Sequence, residues 1–169
     1  MTVNFILNGE DAEVQTGANT RLLDILRDNF KLMGAKAGCR SGNCGVCFVI
    51  VINRENSRES GRVMPSCLIP AFHVRGREVI TIEGFSQNNE YQDIIEGFSQ
   101  AGVENCGYCD SAKILVTEAL LEQTPRPSRQ EILAAFRGIR CRCTDPESLV
   151  EGVLAAAETR RRRVYGRSS

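Results

Sequence analysis

The sequence predicts an α+β protein in two parts, a strand-rich first half over residues 1–85 and a helical second half over 86–169. Three features carry that reading. Short alternating or β-branched apolar runs precede Gly84, and apolar residues at helical spacing follow it. Eight cysteines divide four and four between the halves.

In chain order, Val3-Asn4-Phe5-Ile6-Leu7 alternates as a half-buried strand does, and Asn8-Gly9 is a hairpin turn leading into Ala12-Glu13-Val14. Thr20 is placed to cap a helix carrying Leu22, Leu23, Leu26 and Phe30 on one face. The small, glycine-punctuated stretch from Gly34 to Gly45 predicts an irregular loop. Val46 to Ile52 predicts a buried strand, and the polar residues Asn53 to Arg62 a solvated loop. Cys67-Leu68-Ile69 and Glu78 to Ile82 predict two further strands, with His73 on a strand between Phe72 and Val74 and facing the opposite way. Strands wrapped around one helix suggest an α+β roll.

After Gly84 the period changes. Tyr91, Ile94, Ile95 and Phe98 form one helical stripe, and Ile114, Leu115, Ala119 and Leu121 belong to another. Pro125-Arg126-Pro127 breaks the chain, and Ser128-Arg129-Gln130-Glu131 is a capping box. The last helix starts at Asp145-Pro146 and carries Leu149, Val150, Val153 and Leu154. Four such helices fit a small bundle, with the boundary between the halves near residues 84–90.

Composition narrows the function. Twenty-one basic residues balance 21 acidic ones, which argues against a dedicated nucleic-acid binder. No apolar run approaches the ~18 residues a membrane span needs, and MTVNFILNGE is unlike a secretory signal, so a soluble, cytoplasmic chain is expected. Charge is uneven: residues 126–169 hold ten Arg against five acidic residues. The Arg160 to Arg163 run reads as a solvated helix end, where cations suit the macrodipole, ahead of an anion-binding patch. No internal repeat, GxGxxG or P-loop is present.

Eight cysteines in 169 residues fall below the ~8–10% of a disulfide scaffold, so in a reducing compartment metal binding or catalysis is the better account. A single histidine excludes a Rieske centre and a two-histidine zinc finger. Cys39-x4-Cys44-x2-Cys47 with Cys67 beyond it has the plant-type ferredoxin spacing for a [2Fe–2S] cluster. The residues between are small (Gly38, Ser41, Gly42, Asn43, Gly45), so backbone can curl round a cluster and aim N–H groups at its sulfurs. Four thiolates also make a zinc set, but zinc usually takes two paired knuckles instead of a three-cysteine loop. Cys106-x2-Cys109 with Cys141-x-Cys143 is less specific by itself and admits iron or zinc; Arg140 and Arg142 would ease the crowding of thiolates.

Together these stretches resemble the iron–sulfur subunit of the xanthine dehydrogenase/aldehyde oxidase family of molybdenum hydroxylases. The likeness runs from Val3 to about Ala157. It rests on Leu22 to Cys47 (LLDILRDNFKLMGAKAGCRSGNCGVC), SCLIPAF from Ser66, TIEG from Thr81, NCGYC from Asn105 and CRCT from Cys141. It implies an N-terminal plant-type ferredoxin-like β-grasp domain with one [2Fe–2S] cluster on Cys39, Cys44, Cys47 and Cys67. A C-terminal four-helix-bundle domain would hold the other on Cys106, Cys109, Cys141 and Cys143. It further implies a hetero-oligomer in which a molybdopterin-binding catalytic subunit hydroxylates a purine, another N-heterocycle or an aldehyde. Electrons would cross the helical-domain cluster, then the ferredoxin-like one, to FAD on another subunit.

The chain departs from the family's pattern in places. Asn105 stands where Gln usually approaches the pterin, so it is the possible molybdopterin contact, one methylene shorter. Ser111-Ala112 replaces Pro-Gly, Asp145-Pro146 replaces Gly-Tyr, and Arg40 replaces a common Gly. Altered local geometry with intact clusters is expected. A free-standing two-cluster ferredoxin and a zinc-stabilised binding module are the rival readings.

Overall fold

The computed structural model describes residues 1–54 and 60–166. Its first half is a five-stranded mixed sheet in the order β2-β1-β5-β3-β4. β1 (Thr2–Leu7) pairs antiparallel with β2 (Glu10–Gln15) through Asn8 (φ 54) and Gly9 (φ 87), the left-handed pair that a tight hairpin needs. β5 (Glu78–Ile80) runs parallel to β1, and β3 (Phe48–Ile52) lies antiparallel to both β5 and β4 (Arg62–Pro65). One short helix, α1 (Leu22–Asp24), continues as a π-turn over Ile25–Asn29 and buries Leu22, Leu23, Ile25 and Leu26 against Val3, Phe5, Leu7, Val49, Val51 and Val79. A sheet grasping one helix on this face is the expected β-grasp arrangement.

The other face of the sheet is also covered. Ile50, with Phe48, Ile52, Val63 and Ile80 beside it, belongs to the core of the helical half. This explains why β3 reads FVIVI without alternation, since alternate residues serve two cores. The helical half comprises α2 (Ile82–Phe85), α3 (Asn89–Gln100), α4 (Asp110–Gln123), α5 (Arg129–Ala135) and α6 (Pro146–Tyr165). α4 is buried nearly all round, as expected of the helix between the sheet and the rest of the bundle. α3 and α6 approach closely at Gly97, where a Cβ would lie 2.3 Å from Ala156 N. Ser128 and Glu131 form the expected capping box, and Asp145 caps α6 through the Glu147 and Ser148 amides at 3.0 and 2.9 Å. No helix among the described residues is long and apolar enough to cross a membrane.

Several local expectations are corrected. Thr20 does not cap α1: the N-cap is Arg21, without a side-chain bond, while the Thr20 carbonyl accepts from Ala71 N at 2.8 Å. Cys67 and Leu68 lie in a turn, closed by Leu68 N on Pro65 O at 2.9 Å, and Ile69 follows it outside any strand; the strand beside β3 is Arg62–Pro65. The expected loop therefore ends before Arg62, and residues 55–59 of it lie outside the described ones. His73 sits in a 3-10 turn, Ala71–Val74, closed by its own amide on Pro70 O at 3.0 Å, and its ring lies 2.8 Å from an Arg77 nitrogen. Three alternating residues were too few to establish a strand against that turn. Ile82 opens α2 instead of ending β5.

The Arg160 to Arg163 run divides in two. Arg161 and Arg162 pair with Glu158 in solvent, but Arg163 grips buried Asp93 at 2.7 Å and Glu90 at 2.8 Å, and Arg160 pairs with buried Glu118. Helical spacing turns half of the run inward, where α3 and α4 supply carboxylates.

Candidate metal centres

The first cysteine loop is shaped by residues with little or no side chain. A Cβ on Gly38 would lie 3.0 Å from Cys44 Sγ and 2.8 Å from Val46, so only glycine lets the backbone pass the thiol. Arg40, Gly42 and Gly45 take left-handed φ of 55°, 78° and 74°, curling the chain into a cup. Arg40 is held there by Asp24 at 2.7 Å and by Arg21, which donates to its carbonyl at 3.0 Å. Ser41 N and Asn43 N donate to Cys39 Sγ at 3.4 and 3.2 Å. Cys39 is accordingly acidified to about 6, the Ser41 amide being the main cause. Cys47 and Cys67 are buried side by side, and burial pushes Cys47 up to about 11. Ser66 Oγ fixes the Cys47 carbonyl at 2.7 Å.

TIEG is a brace behind this loop. Asn8 of the hairpin accepts from Thr81 N at 2.8 Å and donates to its hydroxyl at 3.1 Å, while Glu83 accepts from Gly34 N at 2.7 Å. Gly34 packs on Ile82 so closely that a Cβ would lie 2.1 Å from it.

In the second set Cys109 is the N-cap of α4, and Cys141 and Cys143 lie in the loop before α6. Gly107 (φ 88) donates to Asp110 Oδ2 at 2.6 Å, closing the turn between Cys106 and Cys109. Burial pushes Cys109 up to about 11, with the Cys141 thiol adding to it. Burial also acts against the Cys141 thiolate, but amides of Thr144 and Cys143 outweigh it and lower its pKa. Cys106 is lowered chiefly by the Tyr108 amide, and its hydrogen bond with Cys143, followed by its charge, raises Cys143. Lys113, one turn into α4, is fully buried; its positive charge favours the Cys109 and Cys141 thiolates. The sequence signal for this residue is a lone lysine inside the apolar run from Ala112 to Val116. Asn105 is exposed, with its Oδ1 3.4 Å from Lys113 Nζ.

Both sets therefore gather as pairs: Cys39 with Cys44 and Cys47 with Cys67, then Cys106 with Cys143 and Cys109 with Cys141. Two pairs fit two irons, each taking two thiolates, and the amides at Cys39 are the N–H···S donors such a cluster uses.

The two loops also touch. Arg140 N, next to Cys141, donates to Cys44 O at 3.1 Å. Gly45 abuts the Gly138 carbonyl, and the Tyr108 hydroxyl lies 3.3 Å from where a Gly38 Cβ would stand.

Comparison with known proteins agrees. Residues 5–71 match the 2Fe-2S iron-sulfur cluster binding domain, and residues 81–154 match the [2Fe-2S] binding domain. The nicotinate dehydrogenase small FeS subunit of Eubacterium barkeri is 38% identical over 85% of this chain and 87% of its own length. A nicotinate dehydrogenase subunit from Pseudomonas putida is 34% identical over 95% of this chain and 98% of its own length. Quinoline 2-oxidoreductase from Pseudomonas putida 86 contains a chain that superposes with a TM-score of 0.82 at 29% identity, covering 95% of this chain and 96% of that one. The fold and these matches define a two-domain protein for two [2Fe–2S] clusters. The chain belongs to the iron–sulfur subunits of the molybdenum hydroxylase family.

Proposed function

We propose that this chain relays single electrons from a molybdopterin-binding catalytic subunit, through its two clusters, to FAD or another acceptor on a further subunit. The complex would oxidatively hydroxylate a purine, another N-heterocycle or an aldehyde; relatives named for nicotinate and quinoline support the N-heterocycle class. Cys39, Cys44, Cys47 and Cys67 are the proposed ligands of one cluster, and Cys106, Cys109, Cys141 and Cys143 of the other. Each cluster, when bound, gains or gives up one electron. The protein's part is to hold the two close and fix their order of preference. We place the domain boundary at residues 85/86 and the chain in the cytoplasm, a location that suits eight free thiols. Asn105 is the proposed pterin contact, exposed at the edge of the second set.

One observation carries this reading, the Arg140 N to Cys44 O hydrogen bond at 3.1 Å. It joins a peptide adjoining one thiol set to a cysteine of the other, which two independent structural metal sites would not need. The test is EPR of the dithionite-reduced chain: two signals in the wild type, one lost in Cys44→Ala and the other in Cys109→Ala. If both signals survive either substitution, the ligand assignment is wrong.

A further inference from the structure

Lys113 is the one lysine among the described residues that has no exposed surface, and long cationic side chains ordinarily reach for water. Its ammonium donates to Glu104 O at 2.5 Å, Thr144 Oγ1 at 3.2 Å and Asn105 Oδ1 at 3.4 Å, and faces Asp110 Oδ1 at 3.0 Å. Three N–H groups thus meet three acceptors, while Asp110 Oδ1 shares the charge without a hydrogen bond. All four partners flank thiols of the second set: Glu104, Asn105 and Asp110 around Cys106 and Cys109, and Thr144 after Cys143. Thr144 Oγ1 also donates to Glu104 O at 2.9 Å, closing the same junction.

Stability alone does not account for this arrangement. A buried ion pair is commonly no better than an apolar side chain of the same volume, and Lys113 shares a cavity wall with Ile132, Phe136 and Val150, where an apolar residue would pack. The ammonium instead occupies a position where charge counts. Reducing a thiolate-ligated [2Fe–2S] cluster adds one electron, and one unit of negative charge, to a centre that is already negative.

We propose that Lys113 is a positioning residue of the second site, pinning its two cysteine loops together and holding a positive charge that favours the reduced state of the cluster there. This rests on the second thiol set holding a cluster. A unit charge about 10 Å away, at an effective dielectric near 20, shifts a one-electron equilibrium by about tenfold. That is ~59 mV for a one-electron couple.

The test is an EPR-monitored redox titration of the full chain loaded with iron and sulfide, using dithionite as electron donor. Lys113→Met, similar in volume, should lower the potential of the second cluster by about the tenfold equivalent and leave the first unchanged. Asp110→Asn removes the opposite charge, keeps an oxygen for Gly107 N, and should raise the same potential. Opposite shifts support the proposal, because a purely structural brace would change melting temperature without a sign that follows charge. Shifts in the same direction, or none beyond about twofold, overturn it. If Lys113→Met fails to fold, the Asp110→Asn shift alone decides by its sign. A wild-type chain with a single signal overturns the two-cluster reading itself.

Discussion

Gly45→Ala tests whether the contact between the two cysteine loops sets the relation of the two halves. Gly45 has φ +74°, and an added Cβ would lie 2.2 Å from Gly138 O, 2.9 Å from its carbonyl carbon and 3.0 Å from Ile139 Cα. All three are backbone atoms of the helical half, so no side chain can rotate away. Three costs arise. A left-handed non-glycine residue costs about 1–2 kcal/mol, and overpacking about 1–3 kcal/mol. Separating the loops to relieve the clash breaks the Arg140 N to Cys44 O bond, worth about 0.5–1.5 kcal/mol. The first cost is local, and the bond is lost on separation in the wild type too, so overpacking alone, about 1–3 kcal/mol, shifts the separation equilibrium. Since ~1.4 kcal/mol is tenfold, loop separation becomes roughly five- to a hundredfold more favourable.

The assay is EPR of the reduced chain, in which paramagnetic clusters close together perturb each other's relaxation. Gly45→Ala should weaken that interaction and lower the melting temperature by at least ~5 °C, at ~2–4 °C per kcal/mol for a chain of this size. Gly76→Ala is the control. Its φ is +68° with nothing within 4 Å of an added Cβ, so it should show only the conformational cost and an unchanged interaction. Equal effects at Gly45 and Gly76, or none at Gly45, would refute the reasoning.

Two further predictions concern the helical half. Gly97→Ala gains about 1 kcal/mol of helix propensity, but its Cβ would meet Ala156 N and Cα at 2.3 and 2.6 Å; the clash should win by about 1–2 kcal/mol. A melting temperature that rises would mean α3 and α6 are not packed so closely. Glu118 is raised above the ordinary 4.5 chiefly by burial, against the pull of Arg160, so the folded state holds its proton more tightly than the unfolded chain. Its contribution to stability is full below pH 4.5 and is lost as pH rises through the folded value. Glu118→Gln should therefore flatten that decline in denaturant titrations across this range, Arg160 keeping Asp93 at 3.5 Å; an unchanged slope would refute the assignment.

The sites were legible because cluster chemistry constrains sequence locally. As proposed ligands, Cys39, Cys44 and Cys47 would curl round one object, and the glycines between them, two at left-handed φ, permit that curl. The β1–β2 hairpin and the Ser128 capping box were equally local, each fixed by two to four residues. What was not legible depended on the other half of the chain. β3 could be read as buried, but not that its two faces serve different cores. Arg160 and Arg163 could not be told from Arg161 and Arg162 without knowing where Asp93 and Glu118 lie. Lys113 looked like an ordinary helix lysine because its partners are supplied by two loops, one of them about thirty residues away.

The same distinction bears on how a relay differs from two separate clusters. Thiol spacing can specify each site by itself, yet nothing in either spacing requires the sites to approach. Closeness comes from residues that bring no chemistry of their own: Gly38 leaves space under the Tyr108 hydroxyl, Gly45 seats on Gly138, and Arg140 contributes only its amide. Backbone contacts of this kind hold distance without adding flexible side chains between the centres. Charge is then the remaining variable, and it is distributed unequally. The first loop satisfies Cys39 with neutral amides, whereas the second site is backed by the buried Lys113 cation. An electron shared between two otherwise similar clusters would settle according to that difference. The chain therefore fixes distance with glycines and preference with a buried ion, and the two can be varied independently through Gly45 and Lys113.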